Sequence, residues 1–330
     1  MTINRNLWDT HEEKDIYLYT LNHKNITVNV SNLGCIVQSI FVGDTNVVLG
    51  YETANEYLND SYYLGCLIGR YAGRIANAMY TIDGINYSLT KNEQPAGNHL
   101  HGGHNGLNKK IFDVLDEGID GERAFVTFYT TSPDGEEGQP GDVRFFITIA
   151  LYPNGAVSTR YEATSNKATH INLTHHHYFD LSGCRDNALN QQLQINATHY
   201  KPSPRNYLPG DFSVEVKESP FDFTSPRVIK KSDNTEVYNI YYEVNNTDEH
   251  SVAARLSSPA SGIEMELRTT YPCIVLYTGD FLNKPFNRCA GICLETQMFP
   301  DSPNQPNFPS TLLRPGRGYF HETTMLFKAS

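Results

Sequence analysis

The chain has 330 residues, with 37 acidic side chains against 26 basic ones and a net charge of −11. No run of basic residues interrupts that balance, which makes nucleic acid and anionic membrane poor partners. The amino terminus has no basic segment followed by an apolar run, and no window approaches about eighteen uninterrupted apolar residues. The expectation is a cytoplasmic protein, monomer or homodimer, whose partner is a small molecule.

In chain order, the runs "DIYLYTL", "ITVNVSN" and "CIVQSIFV" alternate apolar and polar residues with the period of a half-buried strand. "YETANEYLND" can make a turn or two of helix. "YTIDGINYSL", "RAFVTFYTT", "VRFFITIALY" and "AVSTRYEAT" continue the β pattern, as do "QLQINATHY", "SGIEMELRTT" and "CIVLYTG" further on. Clusters of Gly, Pro, Asn and Asp separate them at strand spacing, and no amphipathic helix of a dozen residues occurs. That argues against a doubly wound nucleotide fold and for an all-β chain, a large antiparallel β-sandwich with few short helices. No repeat or linker divides it, so residues 1–330 are expected to form one domain. The six cysteines (Cys35, Cys66, Cys184, Cys273, Cys289 and Cys293) are scattered, and their bland reading is buried free thiols.

Four segments carry candidate chemistry. "GRYAGRIANAMYTIDG", residues 69 to 84, sets Arg70 and Arg74 in a Gly/Ala-rich loop, where Arg74 can hold ligand oxygens or pair with a structural carboxylate. "GNHLHGGHNGL", residues 97 to 107, holds His99, His101 and His104 around two glycines that mark a tight turn or a close backbone approach.

"INLTHHHYFDLSG", residues 171 to 183, puts three histidines in a strand-like run. With period two, Ile171, Leu173, His175, His177 and Phe179 point one way. Asn172, Thr174, His176, Tyr178 and Asp180 point the other, a polar row suited to a ligand. His176 then belongs to the ligand surface, while His175 and His177 are structural unless a bulge turns one toward the pocket. The competing reading is three merely hydrogen-bonded histidines. A metal site would need side chains from one face, and the alternation scatters the triple; none is expected.

"ICLETQMFPDSPNQPNFPSTLLRPGRGYF", residues 292 to 320, ends a strand at Leu294, Glu295, Thr296 and Gln297 and enters a Pro/Asn loop. A carboxylate at the end of an apolar strand is partly desolvated, which raises its pKa into the range of a usable base. The alternative is a solvated loop-edge glutamate.

Taken together, these segments resemble the galactose mutarotase (aldose 1-epimerase) family. "GRYAGRIA" is similar to that family's G-R-x-x-N-R-I-A, "NHLHGGHNGL" to N-x-L-H-G-G-x-x-G-[FL], and "INLTHHHYFDLSG" to N-L-T-N-H-[ST]-Y-F-N-L-x-G. "LETQMFPDSPNQPNFPSTLLRPG" is similar to L-E-x-Q-x-x-P-D-x-x-N-x-P-x-F-P-x-x-x-L-x-P-G.

The resemblance implies the galactose mutarotase-like supersandwich with an open sugar-binding face, and interconversion of the anomers of a free aldose with no cofactor. It implies Glu295 as general base, His176 as general acid and His101 as a second histidine polarising the ring oxygen, with Arg74 contacting sugar hydroxyls. Glu295 is expected to be ionised and His176 protonated, each contributing about 10²- to 10⁴-fold.

The departures fall around substrate contacts. Gly73 replaces the family Asn, Val275 stands where the family has Gln, and Asn239 falls nearest the family Asp. Gly73, Asn239, Tyr178 and His177, the last replacing the family Ser or Thr, are therefore expected to shape substrate choice. The alternatives are a noncatalytic carbohydrate-binding protein, or a relative acting on a non-galactose or non-sugar cyclic hemiacetal.

Overall fold

A computed structural model describes residues 1–183, 187–203, 206–229, 238–248 and 250–329. Cys184 lies outside the described residues. Three large sheets hold most of the strands, and every ladder between strands is antiparallel. The first is a five-stranded meander in sequence order: Thr2–His11, Lys14–His23, Ile26–Ser31, Val37–Val42 and Thr45–Asn46.

The second has nine strands, in the order Asp113–Ile119, Ala124–Ser132, Val143–Leu151, Ala156–Ser165, Gly318–Ala329, Ile263–Thr269, Val252–Ser258, Gln192–Ile195 and Arg227–Val228. The third has five: Val214–Glu215, His199–Lys201, Asn239–Glu243, Cys273–Tyr277 and Cys293–Gln297.

The main apolar core draws from all three. Tyr19 and Val28 come from the first sheet, Val126 and Phe128 from the second, Tyr242 and Ile274 from the third. Alternation explains this: along Ala124–Ser132 the residues Ala124, Val126 and Phe128 are buried while Phe125, Thr127 and Tyr129 are not. The fold is an all-β antiparallel sandwich. The one α-helix among the described residues, Ala54–Leu58, lies in the expected helical run. Thr53 accepts the Glu56 backbone N–H while the Glu56 carboxylate accepts from Thr53, a capping box.

Several strands carried no clear sequence signal, Asp113–Ile119 and Asn239–Glu243 among them. Thr2–His11 is exposed along nearly its whole length, so it has no buried face to alternate. Val252–Ser258 is built largely of Ala and Ser. Gly318–Ala329 buries alternate residues only in its second half, at Thr323, Met325 and Phe327, although it is the central strand of nine. Cys35, Cys66, Cys273 and Cys293 are free and buried, and Cys289 is buried.

Candidate active site

One face of the third sheet forms the floor of an open cleft. Directly opposite partners there run Tyr241, Val275, Glu295 across three strands, and one step along the same face run Asn239, Tyr277, Cys293. Period two puts Cys293, Glu295 and Gln297 on this face and sends Thr296 the other way, where its hydroxyl meets that of Thr323 in the nine-stranded sheet at 2.7 Å.

The histidine-rich segment crosses the cleft without forming a continuous ladder. Thr174–His175 pairs with Leu67–Ile68, Asn172 and Phe179 make isolated bridges, and the His176 N–H donates to the Cys66 carbonyl while the Gly65 N–H donates to the His176 carbonyl. The alternation nevertheless holds. His176 and Tyr178 line the cleft, and their rings stack with centroids 4.9 Å apart. His175 points into the sandwich, where its Nε2–H donates to the Cys35 carbonyl and its Nδ1 accepts from the Tyr161 hydroxyl, both at 3.0 Å.

His177 does not reach the cleft, which corrects its expected place among the substrate contacts. Two residues on from His175, it stacks on that ring at 5.3 Å on the interior side. Burial drives the basicity of both rings down.

His176 and Glu295 face one another across the cleft. His176 Nε2 lies 3.7 Å from Glu295 Oε1, and the residues are 4% and 5% exposed. Behind His176, Nδ1 lies 3.5 Å from Cys293 Sγ. Burial pushes the Glu295 carboxyl up to about 8 against the pull of Arg74, and pushes the His176 imidazolium down to about 4. The ionised Glu295 and protonated His176 expected from sequence are thus both opposed by desolvation. The pair still holds a single proton at neutral pH, now on the carboxyl.

The other wall comes from residues 69–75 and 99–101. Arg74–Ile75 pairs with His99–Leu100, which sets His101 beside Gly73. The Gly73 N–H donates to His101 Nδ1 at 3.2 Å and the His101 N–H donates to the Gly73 carbonyl at 3.1 Å. With Nδ1 accepting, neutral His101 carries its proton on Nε2. Burial, then the neighbouring His176 and Arg74, hold its basicity well below the usual value.

Gly73 has φ +77°, and a Cβ there would stand 2.6 Å from Pro300 Cγ, so this backbone has no room for a side chain. Arg74 lines the cleft but spends much of its fork on Glu93, which accepts from Nε at 2.8 Å and lies 2.7 Å from a terminal nitrogen. Arg74 thus makes the structural pair while its side chain still lines the cleft. Asn239 lines the cleft. Among the described residues no group of three or more His, Cys, Asp and Glu could hold a metal ion.

Several lining residues were not singled out from sequence: Tyr63, Tyr241, Tyr277, Phe281 and Gln297. Tyr63 and His101 have φ of 59° and 52°, a conformation costly for residues with a Cβ, and their rings touch at 4.8 Å. Period-two reading of "YNIYYE" and "CIVLYTG" would have found Tyr241 and Tyr277; the strain at Tyr63 has no local sequence signal.

Comparison with known proteins agrees with this geometry. The chain is 34% identical to the galactose mutarotase of Mus musculus over 333 residues, covering 94% of each chain. It is 32% identical to the aldose 1-epimerase of Escherichia coli K12, covering 93% of this chain and 94% of that one. The crystal structure of galactose 1-epimerase from Lactobacillus acidophilus superimposes with a TM-score of 0.90 at 25% identity, covering 99% of this chain and 98% of that one. A GalM/aldose epimerase homologue from C. elegans gives 0.88 at 26%, covering 94% and 98%. With the aldose 1-epimerase family profile matching residues 17–326 as well, the antiparallel sandwich and its His–Glu cleft belong to a member of the aldose 1-epimerase family.

Proposed function

We propose that this protein interconverts the α and β anomers of a free aldose by acid–base opening of the hemiacetal ring, as one domain spanning residues 1–330. The observation that carries this reading is the 3.7 Å His176–Glu295 pair, buried at the floor of the cleft. Ring opening removes the proton of the anomeric hydroxyl and supplies one to the ring oxygen. Rotation about C1–C2 and the reverse transfers give the other anomer. The two reacting oxygens share a carbon, so a pair of groups holding one proton between them suffices. Glu295 is the base toward the anomeric hydroxyl and His176 the acid. In the empty cleft burial leaves the shared proton on Glu295, so the working pair forms when that proton passes to His176, a transfer that Arg74 favours by stabilising the Glu295 carboxylate. His101 offers its Nε2–H as a further donor to the ring oxygen.

The substrate set is shifted toward an aldose with fewer hydroxyls to satisfy than galactose. Val275 is apolar directly opposite Glu295, and Gly73 offers no side chain. A site that hydrogen-bonds hydroxyls discriminates through those bonds, so their removal relaxes the demand for them.

The test is polarimetry on freshly dissolved anomers of hexoses, pentoses and deoxy sugars, with wild type and Glu295→Gln. Catalysis by the wild type and a loss of about 10²-fold or more in the variant, with sugar binding retained, is expected. Acceleration by Glu295→Gln equal to wild type removes the proposed base. Galactose turned over better than every other aldose removes the shifted specificity.

A further inference from the structure

Gln297 ends the cleft-facing row of its strand, two residues beyond Glu295, and is 1% exposed. Its side chain lines the cleft, yet Oε1 is buried with no hydrogen-bond partner. Buried carboxamides are nearly always paired, and an unpaired one costs about 1–3 kcal/mol.

The neighbours account for the vacancy. The amide nitrogen of Gln297 lies 3.5 Å from the point where a Cβ on Gly73 would stand, next to the Pro300 ring. Gly73 has already spent its N–H and its carbonyl on His101. Pro300 has no N–H to give. Across the ladder Gln297 faces Cys273, a fully buried thiol. None of these groups offers the strong donor that a carboxamide oxygen needs. The oxygen and nitrogen exchange places by a half-turn about the terminal torsion, so either can be turned to the cleft.

We propose that Gln297 is a specificity-determining residue whose carboxamide pairs with a ring hydroxyl of the aldose, on the side of the cleft away from His176. The assignment rests on the aldose 1-epimerase reading of the same cleft and adds the group that selects among aldoses. The order along the strand fixes the orientation. Cys293 backs His176 and Glu295 faces it, so the anomeric carbon lies at that end and a hydroxyl remote from it meets Gln297. The carboxamide can donate to that hydroxyl and accept from it, which a hydrocarbon side chain cannot.

The experiment measures kcat and KM for mutarotation of D-galactose, D-glucose and their monodeoxy analogues with wild type and Gln297→Leu. The expected result is a KM raised about tenfold for the parent sugars, with kcat changed by less than about threefold. One deoxy analogue, lacking the contacted hydroxyl, should show the same KM with both enzymes.

Equal KM for every sugar in both enzymes overturns the assignment, because the amide then meets no sugar hydroxyl. An equal loss for every sugar, all deoxy analogues included, also overturns it, because the damage is then to the scaffold. If the leucine variant fails to fold, Gln297→Asn, which withdraws the amide by one methylene, is expected to show the same analogue-selective rise. Wild-type protein that accelerates no aldose overturns the aldose 1-epimerase reading alone. The same sugars then test Gln297 by calorimetric Kd, with the same analogue-dependent change expected.

Discussion

His176 Nε2 lies 3.7 Å from Glu295 Oε1, beyond hydrogen-bonding distance but close enough for both to reach one small ligand. Burial pushes Glu295 up to about 8 and His176 down to about 4, so the state with one proton spans the range between. That state is the one with both an acid and a base.

The pH dependence of kcat/KM follows from this. As pH falls through about 4, the pair takes a second proton and no base remains. As pH rises through about 8, it loses its only proton and no acid remains. The profile should be a bell with its plateau between, measured by polarimetric initial rates in the free-enzyme regime. Activity that continues undiminished into strongly alkaline solution would show that the cleft does not work through a shared proton.

His177 provides a control for the histidine cluster. It stacks on His175 at 5.3 Å and meets Phe179 at a tilt at 5.5 Å inside the sandwich, and its Nδ1 has no partner. Replacing an unpaired buried polar group by a hydrocarbon of similar size is nearly neutral. His177→Leu should therefore leave KM within about twofold and stability within about 1 kcal/mol of wild type. A large rise in KM would return His177 to the substrate surface.

The contrast between His176 and His177 shows what was legible in the sequence and what was not. Alternation along residues 171–180 separated the cleft-facing row from the interior row, and the interior row held even where the backbone left the ladder. What overrode it for His177 was position in a family motif, which does not say which way a side chain points. Glu295 was legible as a carboxylate ending an apolar strand, and its raised pKa follows from that burial. The proton's location was not legible, because it depends on how completely both partners are desolvated. Tyr63 was silent for the same reason: its place in the cleft comes from neighbours distant in sequence, whereas Gln297 was legible by alternation from Glu295. The strands buried on one face announced themselves, whereas Thr2–His11, exposed along nearly all its length, could not.

Asn172 ties the two walls of the cleft together. Fully buried, its Nδ2 donates to the Ala72 carbonyl at 3.0 Å and the Met298 carbonyl at 3.1 Å, and its Oδ1 accepts the Met298 N–H at 2.8 Å. Ala72 precedes Gly73, and Met298 follows Gln297. Asn172→Leu leaves these backbone groups buried and unpaired, at a cost on the order of 3 kcal/mol. The expected outcome is a lower urea midpoint together with a kcat reduced at temperatures where the variant is still folded, since small misplacements of reacting groups are costly. A stability loss with wild-type kcat would limit Asn172 to the scaffold.

Val275 tests how the floor of the cleft sets the basicity of Glu295. The two residues are directly opposite in an antiparallel ladder, a placement that brings Cβ atoms within about 5.5 Å. Val275 is apolar and 3% exposed, so the carboxylate gains nothing from it and burial dominates. Val275→Gln brings an N–H within reach of Glu295, and hydrogen bonding to the charged form lowers a carboxyl pKa. The alkaline limb should therefore move down from about 8, by roughly one unit. The acid limb should stay near its place, because His176 is reached from the other wall. The same amide can meet a sugar hydroxyl, so KM for galactose should fall while KM for deoxy sugars does not. Polarimetric pH profiles on galactose and one deoxy sugar separate the two effects. An unmoved alkaline limb with an unchanged KM ranking would show that the residue opposite Glu295 sets neither its proton affinity nor the choice of sugar.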